Sequence, residues 1–89
     1  MNLEKSWALQ IDPTIYKFLN KIPRKDSERI LFVLEKLTQD PFLGDIEKMS
    51  GEINIWRKRI GAYRLFYEIH KNRRIIYIFK LERRTSTTY

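Results

Sequence analysis

The chain contains no cysteine, which removes both a disulfide framework and a thiolate metal site. Its single histidine, His70, cannot assemble an imidazole-rich zinc centre. Glycine and proline are sparse, three of each, and nowhere cluster into a flexible or polyproline linker. No apolar run approaches the roughly 18 residues of a membrane span, and the N-terminus lacks the apolar stretch of a signal peptide. Acidic residues are few as well: 11 against 18 Lys and Arg, for a net charge of +7. Repeats and low-complexity segments are absent. These absences leave one soluble domain over residues 1–89, with a cytoplasmic setting, no metal and no small-molecule cofactor expected.

At 43% hydrophobic the chain can build a core, though a thin one at this size. The positive charge is concentrated. From Arg57 to Arg84 ten of the 18 cations face only Glu68 and Glu82. Such a footprint suits nucleic acid, an anionic membrane surface or an acidic protein partner.

Residues 6–11 alternate Trp7, Leu9 and Ile11 with smaller or polar neighbours, the pattern of a strand. Asp12-Pro13 then starts a helix, with an N-cap carboxylate and proline at the first helical position. Ile15, Phe18, Leu19 and Ile22 follow at helical spacing up to Pro23. A second helix is expected over 24–39, with Ile30, Leu31, Leu34 and Leu37 as its apolar stripe, widened by Phe32 and Val33. Asp40-Pro41 ends it. After a loop through 42–45, residues 53–59, 62–70 and 74–82 read as three strands rich in Ile, Tyr and Phe. Gly61 and the run 70–73 mark their turns. The predicted fold is α+β in the order β-α-α-β-β-β, a helical hairpin on a mostly antiparallel four-stranded sheet.

The most informative stretch is 53–69, Ile-Asn-Ile-Trp-Arg-Lys-Arg-Ile-Gly-Ala-Tyr-Arg-Leu-Phe-Tyr-Glu-Ile. Side chains alternate along a strand, so Arg57 and Arg59 share a face and Lys58 takes the other. Two guanidiniums held side by side repel unless an anion lies between them, and a phosphodiester matches their geometry. A lone Arg pair is more often a solvated basic strand face; the cationic last third shifts the balance. Further on, Tyr63, Leu65, Tyr67 and Ile69 share one side, opposite Arg64, Phe66 and Glu68. In the last strand simple alternation groups Ile75, Tyr77, Phe79, Leu81 and Arg83 against Ile76, Ile78 and Lys80. Neither face is cleanly polar, so an apolar patch is left for a partner or for the chain's own tail.

Lys48-Met-Ser-Gly51, the Trp56-Arg-Lys-Arg strand, Gly61-Ala-Tyr-Arg-Leu-Phe-Tyr67, and the final strand ending at Arg83 with Tyr89 nearby together resemble the RelE/ParE superfamily. These are the toxins of type II toxin–antitoxin modules. The likeness covers nearly the whole chain, and its Gly-x-Tyr-Arg-Leu-Phe-Tyr core is the specific part. The resemblance, closer to RelE, implies an acidic, partly disordered antitoxin as partner. It also implies metal-independent cleavage of messenger RNA in the ribosomal A site, by activation of the ribose 2′-hydroxyl against the adjacent phosphate.

By motif position, Arg57 and Arg59 stand where RelE-type members carry lysine, while Arg64, Arg83 and Tyr89 match their arginines and C-terminal tyrosine. The resemblance thus makes Arg59, Arg64, Arg83 and Tyr89 the expected catalytic residues, with Arg57, Lys48 and Arg84 as RNA contacts. A well-aimed guanidinium is worth on the order of 3 kcal/mol in the transition state. Arginine stays protonated, however, so Arg57 and Arg59 are poor general bases where lysine serves. Glu47, Glu52 and Tyr89 remain as alternatives for that role, although each Glu is more often an ordinary exposed carboxylate. His70 is expected on the surface. Two other functions fit the same residues: a ParE-like inhibitor of DNA gyrase that does no chemistry, and a non-catalytic RNA-binding module.

Overall fold

Asp12 and Pro13 start the first helix as their chemistry dictates, in a computed structural model that describes residues 6–42, 44–51 and 53–84. The Thr14 N–H donates to Asp12 Oδ1 at 2.9 Å and the Thr14 hydroxyl to the same oxygen at 2.7 Å. Tyr77 donates its hydroxyl to Asp12 Oδ2 at 3.0 Å, tying the cap to the sheet. The elements run β1 (Ala8–Ile11), α1 (Pro13–Leu19), α2 (Arg24–Leu37), β2 (Ile46–Lys48), β3 (Ile55–Ile60), β4 (Tyr63–His70) and β5 (Ile75–Arg83).

These cap bonds, the Thr14 backbone N–H first, hold the Asp12 carboxyl below its ordinary pKa. A depressed folded-state pKa stabilises the fold above the unfolded-state value and is lost as pH falls through the folded one. Asp12→Ala is therefore expected to lower the melting temperature at neutral pH. The gap from wild type should close in acid, below the unperturbed Asp value of about 3.9. Thermal melts of both proteins across that range check this.

One sheet holds all five strands in the order β1-β5-β4-β3-β2. β1 lies parallel to β5, and every other pairing is antiparallel. The sheet thus has one strand more than the four that the sequence indicates. The addition is β2, whose Ile46-Glu-Lys48 is too short and polar to announce itself. Pairing with Trp56, Arg57 and Lys58 of β3 makes it a strand.

The helices cover one side of the sheet. Ile15 and Leu19 of α1 and Ile30, Leu34 and Leu37 of α2 pack on Tyr63, Leu65, Tyr67, Ile69, Ile76, Ile78 and Leu81. Leu31 and Phe32 do not join this stripe: they are 46% and 59% exposed, because α2 turns them away from the sheet. Tyr67 is fully buried, and burial pushes its phenol pKa up.

Two features of the strands position the basic residues. Gly61-Ala62 is a two-residue hairpin loop between the paired Ile60 and Tyr63, and Gly61 has φ +58°, as the first central residue of a type II′ turn requires. The second is a bulge in β5. Phe66 pairs with Lys80 and Tyr67 with Ile78, so Phe79 is an extra residue.

Candidate functional site

Residues directly opposite in an antiparallel ladder share a face. The two-residue loop at Gly61-Ala62 sets Arg59 directly opposite Arg64, and two residues back Arg57 lies opposite Phe66. All three guanidiniums therefore belong to the face turned away from the helices. Like charges in this relation destabilise a bare sheet, which marks the spot as a place for an anion.

The three line a cleft of about 200 Å³ together with Asp45, Ile46 and Glu47. Glu47 pairs with Arg57 across β2 and β3, and Arg57 Nη2 donates to Glu47 Oε1. That bond, with the charges of Arg57 and then Arg59, holds the Glu47 carboxyl below the usual Glu range. Arg64 Nη1 lies 3.5 Å from Glu82 Oε2, with its side chain 37% exposed, and Lys80 Nζ lies 3.5 Å from Glu82 Oε1. Arg59 is exposed and makes no hydrogen bond or ion pair among the described residues. Exposed ion pairs contribute at most about 1 kcal/mol, so a doubly bonding phosphate can displace Glu47 or Glu82.

Three expected members stand elsewhere. The bulge at Phe79 reverses the alternation, placing Leu81 and Arg83 on the helix side with Ile76 and Ile78. Arg83 pairs with Tyr63, its guanidinium 5.3 Å from that ring's centre. Tyr63 is 3% exposed and donates its hydroxyl to Asp26 Oδ2 of α2 at 2.6 Å, a bond that raises the phenol's pKa. Arg83 thus does not converge with Arg59 and Arg64. Lys48, opposite Trp56, is also displaced from the arginine face. Arg84 closes the hairpin end: its N–H donates to Ala62 O at 2.6 Å and its Nη1 to Gly61 O at 3.4 Å. Tyr89 and Glu52 lie outside the described residues.

Beside the arginines the same face carries an aromatic row. Phe79 stacks on Tyr77 at 6.2 Å and tilts toward Phe66 at 6.5 Å, while Lys80 Nζ sits 5.0 Å over the Phe66 ring. His70 lies at the end of β4 with its side chain 41% exposed and its Nε2 2.8 Å from Glu68 Oε1. Among the described residues no group of three or more His, Cys, Asp or Glu is placed to share a metal ion. Glu82 carried no signal in the sequence, since only the ladder register brings it to Arg64, and Asp45 reaches the cleft only through its place next to β2.

Lys58 pairs with Ile46 and Leu65 and lines a separate cleft against Val33, Lys36 and Leu37 of α2. Lys58→Ala is accordingly expected to change activity by less than about twofold, as for surface changes away from a site. A dose–response of growth against expression level measures this.

Comparison with known proteins agrees with this architecture. The family described as ParE toxin of type II toxin–antitoxin system, parDE, matches residues 6–86. RelE1 of Methanocaldococcus jannaschii is 29% identical over 79 residues, which is 85% of this chain and 88% of that protein. In the RelE–RelB complex of Pyrococcus horikoshii one chain superposes with a TM-score of 0.80 at 24% identity, covering 92% of this chain and 99% of that one. The isolated E. coli RelE toxin superposes with a TM-score of 0.78 at 15% identity, covering 92% and 88%. At these identities the superpositions speak for the fold.

Proposed function

The chain belongs to the ParE toxin family of type II toxin–antitoxin systems, within the RelE/ParE superfamily, and from that premise we propose that it is a ribosome-dependent endoribonuclease that cleaves messenger RNA in the A site. The observation that carries this reading is the pairing of Arg59 with Arg64, beside Arg57, on a face the helices leave uncovered.

The chemistry such a clamp supports is transfer within the substrate itself. The ribose 2′-oxygen attacks the adjacent phosphorus in line, and the bond to the 5′-oxygen breaks. Negative charge grows on the equatorial oxygens and on the departing oxygen. Guanidiniums already fixed on the sheet stabilise that charge without reorganising, which is where most of the acceleration arises. Arg59 and Arg64 are the proposed phosphate clamp and Arg57 a backbone contact. Arg83, Arg84 and Lys48 act, in this reading, outside the clamp, and Tyr89 stacks on a base.

The likeness to RelE chains solved with RelB supports an acidic antitoxin as the partner that silences this toxin. The match to a ParE model supports a second reading, gyrase inhibition on the same fold without cleavage. Primer extension on cellular messages after a short induction separates the two. Breaks within translated codons are expected; intact messages with an SOS response would favour gyrase. A non-catalytic RNA binder would produce neither.

A further inference from the structure

We infer that the far half of this open face reads one base of the message, an inference that rests on the nuclease reading above. Gln10 of β1, Tyr77 of β5 and Glu68 of β4 are register partners, a row across three neighbouring strands. Alternation along β4 puts Glu68 on the face of Arg64 and Phe66, so the row shares the clamp's side of the sheet. With His70, Arg73 and Ile75 these residues line a cleft of about 530 Å³, distinct from the arginine cleft. Its volume is in the range of sites that hold small ligands.

The lining suits a nucleotide. Tyr77 donates its hydroxyl to Asp12 Oδ2 at 3.0 Å, so what it presents to the cleft is its ring. Ile75, on the same side of β5, extends that apolar surface. A nucleobase has apolar faces and a polar rim, and splayed RNA bases are held by stacking and by hydrogen bonds along that rim. Glu68, Gln10 and His70 can supply the rim contacts. His70 Nε2, 2.8 Å from Glu68 Oε1, orients the carboxylate, which has lone pairs to spare. Arg73, exposed in the turn before β5, makes no hydrogen bond or ion pair among the described residues and can take the nucleotide's phosphate. A carboxylate accepts and cannot donate. The cleft therefore favours adenine, cytosine and guanine, which carry an amino group, over uracil, whose rim sets carbonyl oxygens on both sides of its N–H.

Two observations favour a message strand over a protein segment as the occupant. From Arg59 and Arg64 the face runs through Phe66 and Phe79 to Tyr77, with ring centres 6.5 and 6.2 Å apart and Lys80 Nζ 5.0 Å over Phe66. Stacking surfaces in series beside cations are how a protein follows a single strand. The bulge is the second. It turns the consecutive residues Phe79 and Lys80 to the same side, and bulges re-aim side chains in this way next to functional sites. Arg64 and Glu68 stand roughly 13 Å apart along β4 at the usual rise per residue. The base in the cleft thus belongs to a nucleotide near the cleaved one, with Phe79 under the base between.

The test is single-turnover cleavage, by excess purified toxin, of ribosome-bound messages that differ in one base at a time around the break. At one position uridine should be cleaved at least about fivefold more slowly than the other three bases, the worth of one base-edge contact. Glu68→Gln, whose amide both donates and accepts, should bring uridine at that position up to the rate of the others. Tyr77→Leu should slow cleavage by roughly 5- to 100-fold, the worth of one stacked base, and Tyr77→Phe should restore the rate. Thermal melts show whether the loss of the Asp12 bond alone has unfolded the Tyr77 variants, and Glu68→Gln tests the cleft independently of that bond. A base preference that Glu68→Gln leaves unchanged would overturn the assignment. So would a Tyr77→Leu loss equal on every message, which marks a ribosomal contact, or variants that weaken only antitoxin binding, which mark a protein-docking face. Each of these leaves wild-type cleavage intact, whereas a wild type that breaks no message removes the nuclease reading itself.

Discussion

Arg64→Ala is expected to slow message cleavage by about 100- to 1000-fold, the cost of deleting one preorganised donor from a phosphoryl or acyl transition state. Growth arrest on induction should vanish with it. The fold should survive, because the Arg64 side chain is over one-third exposed and its one ion pair among the described residues, to Glu82 at 3.5 Å, is long. Such a pair contributes at most about 1 kcal/mol. Removing it also relieves the repulsion between Arg59 and Arg64 across the hairpin. Primer extension and a circular-dichroism melt on the same protein separate the two effects. Arg64→Lys keeps the charge but loses the planar fork, so it should recover only part of the rate. A fully toxic Arg64→Ala protein would remove the clamp.

Leu34→Ala should have the largest effect on stability. Leu34 lies on α2, is 2% exposed, and belongs to the cluster joining both helices to the sheet. Truncating such a residue costs about 2–5 kcal/mol, from lost transfer energy and from the cavity left behind. Total stability for a domain is only about 5–15 kcal/mol, so much of the reserve disappears. Urea denaturation should show a lower midpoint with an unchanged slope. Toxicity should decline as well, through a larger unfolded fraction and not through any change at the arginines, which lie across the sheet. An unchanged midpoint would mean that α2 packs elsewhere.

Much of this fold is legible in the residues. Asp12-Pro13 specifies a helix start locally, and the Ile15–Leu19 and Ile30–Leu34–Leu37 spacings specify which faces are buried. Arg59 and Arg64 are equally legible. Once Gly61-Ala62 is a two-residue loop, strand alternation leaves them no choice but to face one another. What escapes the sequence depends on long-range pairing. β2 is a strand only because β3 is beside it, and that pairing is what brings Glu47 to Arg57. The bulge at Phe79 carries no glycine to announce it, yet it moves Arg83 to the helix side and away from the other arginines. One extra residue in a ladder reverses every side chain beyond it, so motif position alone misplaced Arg83. Leu31 and Phe32 fail for a simpler reason: an apolar residue next to a stripe is not thereby part of it.

The arrangement of the clamp is open to direct observation in the structure of this protein on a ribosome whose message carries a 2′-deoxy nucleotide at the cleavage position. The scissile phosphate should lie within hydrogen-bond reach, about 3 Å, of the Arg59 and Arg64 guanidiniums, on the face away from the helices. A phosphate held instead on the helix side, beside Arg83 and Lys48, would contradict it.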